Sequence, residues 1–189
     1  MAETELLAQI AVSAACARGD SIVALAPQRG LASIALYGGD LKPLLDALGG
    51  TLPLPGRQLR ADGVLYLWSG PASWLALADD DAADFSEKLA TRLAGVAAVT
   101  DQSDGRAILR VHGPSSRDAL AKLLPIDLHP KMFSIDATAL TLAGHVNVQI
   151  WRSGEDAFEL ACFRSFAEDL FEALCEASRE FQTEQKGRG

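Results

Sequence analysis

The chain is poor in the residues that usually carry chemistry: its 189 residues include three histidines and three cysteines. Cys16, Cys162 and Cys175 are far apart and in no metal-ligand spacing, so they read as reduced thiols of a cytoplasmic protein, not as a disulfide framework. His112, His129 and His145 are too dispersed for a zinc pattern, and no metal is expected. Cations are outnumbered, 17 Lys and Arg against 25 Asp and Glu, for a net charge of −8. Without a clustered basic face, nucleic acid and anionic membrane surfaces are poor partners. No stretch approaches the ~20 apolar residues of a membrane span. The short apolar run Ile10 to Ala17 follows Glu3 and Glu5, where a secretion signal would carry positive charge. Gly38-Gly39 and Gly49-Gly50 match neither the dinucleotide fingerprint nor the Walker loop, so FAD, NAD and ATP are not expected on this chain. Ser69 sits at a turn but lacks the paired glycines of a nucleophile elbow. Asp79-Asp80-Asp81 with Asp84 lacks the alternating ligands of a calcium loop and reads as acidic charge at a helix start. Catalytic, cofactor-binding and metal residues are therefore all expected to be absent.

What is present is apolar pattern, at 49% hydrophobic content. That suffices for one core, or for two halves sharing one. Residues 1–29 are Ala-rich, compatible with a short helix or a strand. Leu31 to Tyr37 reads as a buried strand, Gly38-Gly39 as a corner, and Asp40 as the cap of a helix with Leu41, Leu44, Leu45 and Leu48 on one face. A Gly/Pro loop over 49–56 leads to a strand at Val64 to Trp68. Ser69-Gly70-Pro71 turns the chain and Trp74 to Ala78 returns. The helix opened by Asp79 carries Phe85, Leu89 and Leu93, and Val96 to Thr100 is a strand. The order then recurs. Ala107 to Val111 is a strand, Gly113-Pro114 a corner and Ser115 to Leu124 a helix; strands follow at 137–142, 146–151 and 158–162, and a helix at 166–181. Ser165 and Glu168 have capping-box spacing.

The recurrence extends to detail. Trp68, Gly70, Trp74 and Phe85-x-Glu87-x-Leu89-x-x-x-Leu93 are echoed by Trp151, Gly154, Phe158 and Phe166-x-Glu168-x-Leu170-x-x-x-Leu174, at an offset of about eighty residues. The expected fold is α+β: duplicated, intertwined ferredoxin-like (βαββαβ) halves sharing a core. In a single domain over 1–189, 30–100 is the first half, 101–182 the second, 1–29 an N-terminal extension and 183–189 a flexible tail.

Several side chains suit packing or a partner surface better than turnover. Trp68, Trp74 and Trp151 lie at hairpin ends. Of Arg106, Arg110, Arg117, Arg152 and Arg164, Arg106 and Arg164 sit at a strand start and a helix start, where a guanidinium ties turns together or reaches a partner's carboxylate.

Leu67-Trp68-Ser69-Gly70-Pro71-Ala72-Ser73-Trp74-Leu75, Asp101 to Arg106, Leu109 to Pro114, Pro125 to Pro130 and Arg164-Ser165-Phe166-Ala167 occur in an order and spacing that resemble the gamma subunits of heterotetrameric sarcosine oxidases. The similarity runs over roughly residues 31–181 and is densest from Asp101 to Phe133. It implies a fold similar to the folate-binding domain of glycine-cleavage aminomethyltransferases. It also implies a structural subunit supporting oxidative demethylation of sarcosine to glycine, with one-carbon transfer to tetrahydrofolate. FAD, FMN, NAD and tetrahydrofolate would reside on other subunits, and a small delta chain would carry zinc. The partners would be the alpha subunit, with beta and delta in the complex, and the isolated chain is open to homo-oligomer formation. The matching positions offered as partner-interface or structural residues are Trp68, Trp74, Asp101, Ser103, Arg106, Gly113, Pro114, Arg117, His129, Trp151 and Arg164.

Two departures from the family pattern bear on chemistry. Asp104 stands where the family more often has histidine. The resemblance also places an acidic residue of active aminomethyltransferases on the hairpin spelled here Ala143 to Arg152, which contains no carboxylate and offers Asn147 instead. Folate chemistry on this chain is therefore not expected. The alternative is a stand-alone folate-binding or aminomethyltransferase-like protein.

Overall fold

Four strand-dense stretches of sequence become two antiparallel sheets in the computed structural model, which describes residues 15–18, 21–79 and 83–181. The strands are β1 (Ala15–Arg18), β2 (Ser21–Leu25), β3 (Leu31–Leu36), β4 (Gln58–Ala61), β5 (Val64–Trp68), β6 (Ser73–Ala78), β7 (Ala97–Asp101), β8 (Arg106–His112), β9 (Thr138–Ala143), β10 (Val146–Gly154) and β11 (Ala157–Phe163). The helices are α1 (Lys42–Ala47), α2 (Phe85–Arg92), α3 (Ser116–Ala121) and α4 (Ala167–Ser178). One sheet runs β4-β5-β6-β3-β7 and the other β1-β2-β8-β11-β10-β9.

Side-chain alternation explains the layers. Along β6, Trp74, Ala76 and Ala78 face a helix-side core with Leu44, Leu48, Phe85, Leu89 and Leu93. Leu75 and Leu77 point the other way, into a cluster with Leu31, Leu65 and Leu67 that meets Ile108, Trp151 and Ala161 of the second sheet. Phe158, Leu160 and Cys162 of β11 face Leu120, Leu124, Leu170 and Leu174. The layers are therefore helices, sheet, sheet, helices, and the central strands read as unbroken apolar runs because both faces are covered. Each fully buried leucine contributes about 1.5–3 kcal/mol.

The N-terminal segment is placed differently from the extension expected of it. β2 pairs with β8, Val23 opposite Val111, and Val23 is fully buried. It occupies beside β8 the place that β7 occupies beside β3. Residues 1–14 and 182–189, covering the rest of the extension and the tail, lie outside the described residues.

Local differences have local causes. β4, expected as loop, pairs with β5 through Asp62-Gly63, whose φ values of 52° and 74° are those of a tight hairpin turn. α1 begins two residues after Asp40, with Leu41 at the cap; Asp40 Oδ1 accepts the Lys42 N–H at 2.9 Å in a turn just ahead of the helix. The helix expected from Asp79 begins at Phe85; Asp79 instead directly follows β6 and pairs with Arg60, while Asp84 pairs with Lys88 at 2.6 Å. Asp80 and Asp81 lie outside the described residues. The expected capping box does not form: a 3₁₀ turn over Arg164–Phe166 moves the start of α4 to Ala167, placing Phe166, not Ser165, at the cap.

Trp74 is 5% exposed, with its indole N–H donating to the Pro53 carbonyl at 3.4 Å. It is a core residue of the first sheet. Trp74→Ala is expected to cost about 3–5 kcal/mol, read as a lower urea midpoint at unchanged slope.

Candidate functional site

The inner face of the second sheet is built in transverse rows, because strand register aligns side chains across β8, β11, β10 and β9. The first row is Arg110, Glu159, Trp151 and Thr138; the second is Ile108, Ala161, Gln149 and Leu140. In the third, Arg106 lies opposite Phe163 and Asn147 opposite Leu142. Continuing the register two residues beyond the Gln149–Ala161 pair aligns Asn147 with Phe163. The first sheet covers the middle of this face through Ile108, Trp151 and Ala161. Its two ends remain open.

At one end Glu159, buried at 2%, is the central carboxylate. Its Oε1 accepts from Arg110 Nη2 at 2.7 Å, whereas Oε2 accepts no hydrogen bond and has Arg29 Nη1 at 3.9 Å. A cleft of about 450 Å³ opens here, lined by Glu159, Arg29, Gln58, Arg60, Trp151 and Arg152 among others. Pairing with Arg110 offsets part of the cost of burying this carboxyl group.

At the other end a groove of about 450 Å³ is lined by Arg106, Phe163, Leu140, Leu142 and Asn147 with neighbouring residues. The Arg106 guanidinium lies 4.9 Å from the Phe163 ring centroid and donates to Gln102 Oε1 at 3.4 Å. Burial pulls its pKa down from the ordinary arginine value, yet a guanidinium stays protonated.

The turn joining the sheets, residues 101–106, gathers Asp101, Ser103, Arg106 and Arg164. Arg164 Nε donates to the Asp104 carbonyl at 2.6 Å, and Nη2 donates to those of Ser103 at 3.1 Å and Arg106 at 3.2 Å. Ser103 Oγ accepts the Leu31 N–H at 3.0 Å and donates to Asp101 Oδ1 at 2.7 Å. Hydrogen bonds from the Ser103 N–H and then its hydroxyl hold the Asp101 carboxyl below its ordinary pKa. This stabilisation is present above the unfolded-state value and is lost as pH falls through the folded one. Asp104 is exposed and accepts from Gln28 Nε2 at 3.1 Å.

A second group surrounds the other corner. The Gly113 N–H donates to the Asp156 carbonyl at 2.9 Å, with the exposed Pro114 following. Arg117 donates to the carbonyls of Leu128 and, at 3.2 Å, Glu155, while lying 5.1 Å from the Phe158 ring centroid. Burial, and then the neighbouring Arg152 charge, lower its pKa. Arg152 is 6% exposed and donates to the carbonyls of Phe133, Gly154 and Glu155. His129 is exposed, and its Nδ1 accepts the Lys131 N–H at 3.3 Å.

The tryptophans do not form one surface. Trp68 pairs with Trp74 across the β5–β6 hairpin, whereas Trp151 lies between the sheets at 1% exposure. Trp74 and Trp151 are both buried within the fold. Ser69 donates to Gln149 Oε1 at 2.8 Å, and Gln149 Nε2 donates to the Trp68 carbonyl at 3.1 Å, joining the halves. Glu159 and Gln149 were not singled out in the sequence. The available signal was a charged or amide side chain inside an otherwise apolar strand. Cys16 and Cys162 form no disulfide among the described residues, and burial raises the Cys162 thiol to about 11. Among the described residues, no group of three His, Cys, Asp or Glu is placed to hold a metal, and no helix is long and apolar enough to cross a membrane.

Comparison with known proteins matches this arrangement. Residues 56–189 fit the family model of the GCVT N-terminal domain. The chain is 31% identical over 164 residues to the sarcosine oxidase subunit gamma of Corynebacterium sp. strain P-1, covering 86% of this chain and 80% of that one. It is similar in structure to a chain of the heterotetrameric sarcosine oxidase from Corynebacterium sp. U-96, with TM-score 0.84 and 25% identity over 95% of this chain and 96% of the other. The glycine cleavage system aminomethyltransferase T of Bartonella henselae shares the fold at TM-score 0.65 and 19% identity, over 87% of this chain and 48% of that one. Fold and inner-face geometry thus define a mixed α+β protein of two sheets in the GCVT N-terminal domain class. Within that class the chain belongs to the sarcosine oxidase gamma subunit family.

Arg164→Ala removes a guanidinium shared by three carbonyls and is expected to cost about 2–3 kcal/mol in urea denaturation. Arg164→Lys should recover only part of it, because an ammonium lacks the planar fork.

Proposed function

We propose that this chain is the gamma subunit of a heterotetrameric sarcosine oxidase. It serves as a structural subunit supporting oxidative demethylation of sarcosine to glycine, with one-carbon transfer to tetrahydrofolate. The observation that carries the structural role is the engagement of Ser69, Ser103, Arg117, Arg152 and Arg164, each of which holds a turn or neighbouring strand. Family membership supplies the complex. In this reading the flavins, NAD and tetrahydrofolate reside on other chains, and this chain docks on the alpha subunit in the cytoplasm. The fold is two ferredoxin-like repeats in a single domain, with β2 completing the second repeat. The equivalent places of β7 and β2 support that detail.

The test is co-expression with a tagged alpha chain. Co-purification in a fixed ratio is expected; its failure with the wild-type chain overturns the subunit reading.

One observation favours a second reading, folate binding by this chain itself. The hairpin from Ala143 to Arg152 has no carboxylate, but β11 supplies Glu159 beside Trp151, with one oxygen free of hydrogen bonds in an arginine-flanked cleft. A ligand that binds the native state alone raises its stability by mass action. On the structural reading, saturating tetrahydrofolate leaves the melting temperature of the isolated chain unchanged. A rise abolished by Glu159→Gln would establish the second reading.

A further inference from the structure

Arg106, in the groove at its end of the inner face, differs in its partners from the other arginines described above. Arg110 has the Glu159 carboxylate, and Arg117, Arg152 and Arg164 have backbone carbonyls. Arg106 is half-buried against Phe163 and has one long contact with Gln102, with no carboxylate partner among the described residues. Beside it, Leu140 is 51% exposed, Leu142 43% and Phe163 49%. These side chains form one apolar strip across the sheet rather than scattered exposure. Thr138 at the start of β9 donates its N–H to the Gly56 carbonyl at 3.0 Å, but past it no strand among the described residues pairs with the outer edge of β9.

We infer that this groove receives a segment of the large alpha subunit of sarcosine oxidase that sets apolar side chains against Leu140, Leu142 and Phe163 and one carboxylate against Arg106. The inference rests on the subunit reading above and adds the surface. Charge complementarity selects the occupant. A purely apolar segment would complete the desolvation of Arg106 without compensation, whereas a carboxylate would form the charge-assisted pair that the fold leaves unmade. The chain itself carries a net charge of −8, so the groove offers a basic, apolar exception on an acidic molecule.

The experiment co-expresses all four subunits with a tag on the large chain and measures the fraction of gamma chain recovered in the complex. L140E/L142E and Arg106→Glu are compared with wild type and with Tyr37→Glu, a change at a 63% exposed residue outside the groove. Both groove variants are expected to lower recovery at least tenfold under limiting conditions, with the melting temperature of the isolated chain unchanged. Tyr37→Glu should behave as wild type, and Arg106→Lys should retain part of the recovery. Recovery of both folded groove variants at the wild-type level overturns this inference and leaves the subunit reading intact. Failure of wild type to enter the complex overturns that reading first. Where a variant melts early, hydrogen exchange of the wild-type chain, free and in the complex, decides: new protection over residues 138–143 and 163–166 supports the groove, and its absence overturns it. A wild-type homodimer in light scattering that the groove variants abolish would assign the surface to a second copy and overturn the commitment to the large subunit.

Discussion

Two sheets pressed face to face form the contact on which the rest of the structure depends. Leu31, Leu65, Leu67, Leu75 and Leu77 from one sheet close on Ile108, Trp151 and Ala161 from the other. Helices cover both outer faces, so the central strands have no wet side, and every polar group between the layers needs a partner. Gln149 meets this demand by linking the Trp68 carbonyl, Ser69 and Thr138. A contact of this kind also has ends. At those ends lie two openings, with Glu159 in one and Arg106 in the other.

Arginine fastens the loops that the sheets leave over. Arg164 collects three carbonyls of the turn between β7 and β8, while Arg117 and Arg152 collect those of the 128–133 and 154–155 segments. A planar fork of donors suits converging carbonyls, which a single ammonium cannot bridge equally. Side chains engaged in this way hold the surface loops in place. Arg106 departs from the pattern because its fork faces a ring and an open groove.

Much of the architecture was legible in local pattern. The apolar runs at Val64 to Trp68 and Ala107 to Val111 became strands, and the Gly113-Pro114 corner lies between β8 and α3 as expected. The hairpin at Asp62-Gly63 was equally legible but missed, because its first strand, Gln58–Ala61, is polar and at a sheet edge. The capping box at Ser165 and Glu168 had correct spacing, but an intervening 3₁₀ turn changed which residue begins the helix. Of the positions proposed for a site, Asp101, Ser103, Arg106 and Arg164 do converge. Sequence spacing alone did not distinguish the three that clasp a turn from the one that faces a groove.

The sequence by itself determined where strands and helices form, since alternation, helical spacing and turn residues act over a few neighbours. It also carried family membership, through motifs in a fixed order. The tertiary structure alone decided that β2 joins the second sheet, that Trp151 lies between the layers, and that Glu159 is buried with an oxygen facing a cleft. Those outcomes depend on which strands become neighbours and which faces meet. Such contacts join residues distant along the chain, and no local pattern records them.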